Sequence, residues 1–184
     1  AVDCFAFVVT EKAGKRRVDA AKATALGLPP GDAYQRLQDG EDVPLGDGRV
    51  VRAADCTSPP PRPRRVAILG DTYDAAAAAD AARGADVVVH EATMADGDAA
   101  VARAHGHATG AVAGNFARAA GASALVLTHF SAKFRLGGRG GPPAGTTDVL
   151  VDEARRAFGG DRVLAAYDYM TVAVPRGGYP RDPR

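Results

Sequence analysis

The sequence predicts an α/β fold, and three observations predict it. RVAILGD (65–71), DVVVHEA (86–92) and ALVLTHF (124–130) are near-continuous apolar runs. Helix-like stretches separate them, and strands that alternate with helices form βαβ units whose sheet is covered on both faces. Each run also stops at polar residues: Asp71 after the first, His90 and Glu91 at the end of the second, His129 at the end of the third. In open α/β sheets ligands bind outside the carboxyl ends of the strands, which gives those positions a cause.

The elements follow in order. Residues 2–10 (VDCFAFVVT) read as a strand of aromatic and β-branched residues. EKAGKRR is a basic turn, 18–28 a short helix ended by Gly27 and Pro29, and 32–40 a second helical piece stopped by Gly40. VPLGDGRVV places a GDG turn between extended pieces and predicts a hairpin. SPPPRPRR is an extended, proline-rich linker. From Arg65 the βα rhythm begins: strand, the alanine-rich helix DAAAAADAARG, strand, a loop with the helix GHATGAVAGNFARAAG, strand, and a Gly/Pro loop. The helix TDVLVDEARRAFGG and a last strand, RVLAAYDYMTVAV, complete it. The expected organisation is a first strand (1–10), an appended arm of short elements (11–62), a βα portion (63–174) and a disordered tail (175–184).

The chain has 184 residues, 46% apolar and 24% charged, which suits one globular domain with an appendage. A net charge of +1 predicts no nucleic-acid partner from bulk charge, so any RNA contact must come from local basic patches. Cys4 and Cys56 have neither disulfide-framework nor zinc-ribbon spacing, so a reduced intracellular compartment is expected. No run reaches the roughly 20 apolar residues of a membrane span. Ala1 opens directly into strand-like alternation, which predicts that the chain begins elsewhere.

Taken singly, the strand-end residues have ordinary explanations. Asp71 in GDT suits a helix N-cap, a lone strand-end histidine is more often structural than ligating, and His105 and His107 precede a helix where either can be exposed. Their joint occurrence points to chemistry, because aspartate and histidine are the usual ligands of zinc-like cations.

GDT (70–72), HEAT (90–93), HAT (107–109) and LTHFS (127–131) together resemble the second half of ribonuclease Z, the tRNA 3′-processing endonuclease family of the metallo-β-lactamase fold. Glu91, His107 and His129 follow Asp71 by 20, 36 and 58 residues, spacings similar to those of the short-form enzymes. AKATALGLPPGDAYQRLQDGEDVPLGDGRVV resembles the arm with which those proteins grip tRNA, and AAYDYMTV resembles their last strand. The resemblance covers roughly residues 2–174. It implies the carboxyl-terminal half of an αββα sandwich with an inserted exosite arm.

The resemblance also implies roles. Asp71 would bridge two zinc ions and His129 would bind one of them. His107 would serve the scissile phosphate and leaving group, with Glu91 orienting it. The substrate would be precursor tRNA, cut 3′ of the discriminator nucleotide, and the complete protein a homodimer. Lys12, Lys15, Arg16, Arg17 and Lys22 would face the tRNA backbone, although such a charge run is equally an ordinary solvated face. Departures from the family pattern are Ala108 for serine, Tyr73-Asp74-Ala75 after GDT where Arg-Pro-Cys is usual, and Gly31-Asp32 in the arm.

The family's H-x-H-x-D-H motif is absent, and the chain's four histidines are all accounted for above. Asp71 and His129 alone are too few for two zinc ions, which take about four ligands each. The expectation is a carboxyl-terminal portion that does not cleave alone, either cut short or paired with a separate amino-terminal half. The alternatives are a non-catalytic tRNA-binding or interaction module, and another phosphodiesterase of the same fold. An exposed sheet face on half a sandwich predicts self-association.

Overall fold

In a computed structural model, the structure describes residues 3–137, 145–176 and 178–179. The chain divides into two compact units, one of Ala1–Thr10 with Arg64–Arg184 and one of Glu11–Pro63.

The first unit is built on a five-stranded sheet. In chain order its strands are β1 (Ala6–Thr10), β4 (Arg65–Leu69), β5 (Val87–Glu91), β6 (Leu125–Thr128) and β7 (Val163–Ala165), and they lie side by side in that same order. β1 pairs antiparallel with β4, and the remaining pairs are parallel. The connections between parallel strands carry α4 (Ala79–Ala82), α5 (Ala99–Ala104), α6 (Gly110–Ala119) and α7 (Thr147–Phe158).

The helices gather on one sheet face. Val88, Leu125, Leu127 and Val163 are buried there with Ala113, Ala117, Leu150 and Ala154. α6 and α7 pack very close, because a Cβ at Gly110 or Gly114 would come within 2.4 Å of the Leu150 or Ala154 carbonyl oxygen. Gly159 ends α7 with φ 79°, a left-handed position that costs glycine little. Glu153, buried on α7, accepts the Asp96 N–H on both carboxylate oxygens at 3.0 Å, and Asp96 Oδ1 accepts from Ala111 N. This clamp fixes the loop after β5 against the middle of α7 and the start of α6. Its cost is a buried carboxylate, whose pKa burial pushes up.

The opposite face is covered over Val87, Ala124 and Val126 by Ala166, Val172, Val174 and Tyr179. Within the segment expected to be disordered, the Tyr179 hydroxyl donates to the Ala173 carbonyl at 2.6 Å. Residues 177 and 180–184 lie outside the described residues. At the β1 edge of this face Phe7, Val9 and Ile68 are exposed.

Three elements differ from expectation. The alanine-rich helix after β4 shrinks to a 3-10 turn (Ala76–Ala78) and four α-helical residues. The last strand pairs for three residues only. α5 occupies part of what reads as loop.

The Glu11–Pro63 unit holds α1 (Ala20–Ala25), α2 (Ala33–Gln38), the two-stranded hairpin β2 (Val43–Pro44) and β3 (Val50–Val51), and α3 (Ala53–Cys56). Asp19 caps α1 by accepting from Lys22 N. A small core of Ala23, Leu28, Leu37, Val43, Val51 and Cys56 holds the unit together.

Candidate metal centre

The parallel register sets the ends of β4, β5 and β6 beside one another. Glu91 pairs with Thr128, so His129 begins one residue past the end of its neighbour's ladder. His129 has φ 55°, a left-handed conformation that costs a non-glycine residue some strain, although histidine adopts it more readily than most. Such strain persists only where surrounding contacts enforce it.

The enforcing contact is Thr93. Its hydroxyl lies 2.9 Å from His129 Nδ1 and 2.8 Å from the His129 carbonyl oxygen. It lies 2.5 Å from Glu91 Oε2. A hydroxyl carries one proton, and the short contact to a carboxylate claims it. Thr93 then accepts from His129 Nδ1–H, which leaves the Nε2 lone pair facing outward. That nitrogen lies 3.4 Å from Asp71 Oδ2.

Glu91 is 1% exposed and has all its neighbours in place. Oε1 accepts from the Thr72 backbone N–H at 2.7 Å and faces His107 Nδ1 at 3.1 Å. A carboxylate behind an imidazole fixes its tautomer and orientation. His107 thereby presents Nε2, and its ring stands 5.3 Å from that of His129. Thr109, two residues on, caps α6 by accepting from Val112 N, which anchors the segment that carries His107.

Asp71, His107 and His129 each offer one ligand atom, and these atoms lie within 4.8 Å of one another. A carboxylate oxygen and two imidazole nitrogens suit a zinc-like divalent cation. The sequence reading sets His107 apart from the ligands, whereas the structure puts its ring in the same cluster.

His90 does not join them. Side chains alternate along a strand, so Glu91 and His90 face opposite ways. His90 is fully buried with its ring 5.6 Å from Phe116 of α6. Nδ1 meets the Glu91 carbonyl oxygen at 2.8 Å, and among the described residues Nε2 has no hydrogen-bond partner. Burial pulls its pKa below the ordinary imidazole value, against the opposing pull of Glu91. His105 caps the end of α5 and is exposed.

In the other unit Lys12, Lys15, Arg17 and Lys22 are exposed and Arg16 is half-buried. Lys15 pairs with Asp39 at 3.0 Å and Lys22 with Asp19 at 3.8 Å. Thr93 and the Thr72 N–H are the members of the centre that residue-type reasoning passes over. The signal for Thr93 was its position two after Glu91, the same sheet face one pleat on.

A carboxylate and two imidazoles converge beyond the parallel strands, with one imidazole backed by a buried carboxylate, a donor set that could hold a divalent cation. No protein-family model matches the chain. It is 38% identical over 175 residues to proteins named Ribonuclease Z from Gloeothece citriformis and Bacillus velezensis, matching 95% of this chain and 53% and 54% of theirs. Among solved structures, human tRNase Z, short form, superposes with a TM-score of 0.44 at 27% identity, over 68% of this chain and 37% of that one. By sequence the chain is a relative of ribonuclease Z, matched along almost all of its own length. It spans about half the length of the curated relatives it matches.

Proposed function

We propose that this chain carries one side of the catalytic centre of a tRNA 3′-processing endonuclease, as the carboxyl-terminal half of a metallo-β-lactamase fold. The observation that supports this most is the convergence of Asp71, His107 and His129 with Glu91 and Thr93 behind them. Zinc is the proposed cation, with Asp71 and His129 holding it on this side. When bound, such a cation supplies Lewis acidity toward a phosphodiester and lowers the pKa of a water.

The chain's own residues do the rest. Thr93 keeps the His129 Nε2 lone pair available, and Glu91 keeps the His107 proton on Nδ1. His107 Nε2 can then hold a proton for the departing 3′ oxygen. Residues 1–10 and 63–174 form the half-domain in this proposal. Residues 11–62 form the arm, with Lys12, Lys15, Arg16, Arg17 and Lys22 toward tRNA phosphates. Asp71 and His129 are too few ligands for two ions, so the chain alone does not cleave.

The test measures bound zinc and cleavage of precursor tRNA for this chain alone and for the chain joined to a segment bearing H-x-H-x-D-H. Two zinc ions and a cut 3′ of the discriminator nucleotide are expected only for the joined protein. A joined protein that binds two zinc ions and never cuts precursor tRNA would overturn the proposal.

A further inference from the structure

Beside the candidate centre lies a cavity of about 800 Å3 whose walls are not explained by metal binding. Asp71 and His107 form part of its lining, so it opens directly onto the centre. The rest includes Tyr73, which follows Thr72, and Arg103 and His105 at the end of α5. The Arg103 guanidinium carbon sits 5.2 Å from the centroid of the Tyr73 ring. Arg103 is exposed, and among the described residues its side chain has no carboxylate or carbonyl partner.

An arginine stacked on an aromatic face is held in place through its π system while its N–H edge stays available. That edge is a planar fork of donors matched to phosphate oxygens. Here the fork is held beside the groups that would meet a scissile phosphate. We propose that Arg103, positioned by Tyr73, is a phosphate-binding subsite for the nucleic-acid backbone flanking the bond to be cut. This rests on the proposed tRNA-directed function and adds a substrate contact to the same centre. Both residues lie where sequence reasoning found only a departure (Tyr73) or a loop (Arg103).

The test is binding of fluorescently labelled precursor tRNAs to the 184-residue chain across a KCl series. A lost phosphate contact weakens binding to all tRNAs alike and flattens the log Kobs against log[salt] line. Arg103→Gln is expected to weaken binding about tenfold and reduce the slope by about 0.7 to 0.9. Arg103→Lys keeps the charge and is expected to retain the wild-type slope. Tyr73→Leu is expected to weaken binding about two- to fivefold. Arg118→Gln, outside the cavity and bonded to Asn115, is expected to change neither quantity. If the wild type binds with a steep slope and Arg103→Gln leaves affinity and slope unchanged, the subsite is wrong and the tRNA-directed function stands. If the wild type binds no precursor tRNA even at low salt, the subsite is wrong, and cleavage by the joined protein decides the tRNA-directed function separately.

Discussion

At the carboxyl end of β5 the Glu91 carboxylate is held by buried hydrogen bonds, while Asp71 and His129 beside it are exposed. In the Glu11–Pro63 unit the charged groups stand in water. Glu91 is sealed by the Thr72 N–H, the Thr93 hydroxyl and His107, all within 3.1 Å. Lys15 and Lys22 instead make exposed pairs with Asp39 and Asp19. Exposed pairs contribute little to stability and are screened by salt. The first region is therefore suited to fixed geometry and the second to long-range, sequence-independent attraction. Substitutions should separate the two cleanly.

The largest effect is expected at Glu91. Glu91→Ala strands a backbone N–H, a hydroxyl and an imidazole that now share one carboxylate. Loss of one partner from a buried charged network costs about 3–5 kcal/mol, to be read from the urea unfolding midpoint. A loss no larger than that of a surface substitution would show that the network contributes little. Next is Gly114→Ala on α6, whose Cβ would meet the Ala154 carbonyl oxygen at 2.4 Å. Backbone cannot rotate aside as a side chain can, so about 1–3 kcal/mol of destabilisation is expected in the same assay.

Thr93 sharpens the comparison further. Thr93→Val removes the acceptor for His129 Nδ1–H and should lower zinc affinity about 10–100-fold, with Thr93→Ser close to wild type. Ring 15N shifts should show the His129 proton on Nδ1 in the wild type and its redistribution in Thr93→Val. An unchanged tautomer would mean that another contact sets the ring.

His90 gives a pH signature. Burial holds its pKa below the ordinary imidazole value of about 6.5. The folded state then binds fewer protons than the unfolded state in that range. The stability it contributes is complete above about pH 6.5 and is lost as pH falls from there through its folded pKa. His90→Gln should flatten the dependence of the unfolding midpoint over that window. The smallest stability effect is expected in the other unit. Replacing Lys15, Arg16 and Arg17 together by glutamate should leave the unfolding midpoint of the strand-bearing unit where it was. Binding of precursor tRNA should weaken, and its salt dependence should flatten.

The strand ends were legible in sequence because β4, β5 and β6 are unbroken apolar runs that stop abruptly at polar residues. Asp71, Glu91 and His129 follow from that pattern directly. His90 was misleading for the same reason, since adjacent strand residues face opposite ways and only one can reach the cleft. The helix after β4 was overread. Its alanines have high propensity but little area to bury, and packing supplies most of a short helix's stability. β7 pairs with β6 only from Val163 to Ala165, one residue short of the end of β6 at Thr128. α5 was hidden by the Asp-Gly-Asp preceding it, which reads as a turn. With it went Arg103, and no residue-type pattern could place that guanidinium on Tyr73.

The proposal that Asp71 and His129 hold one cation, with His107 beside it, is tested most directly by zinc titration of the 184-residue chain beside Asp71→Ala and His129→Ala. Saturable binding near one ion per chain, lost in both variants, is expected. No saturable binding, or binding that survives either substitution, would contradict it.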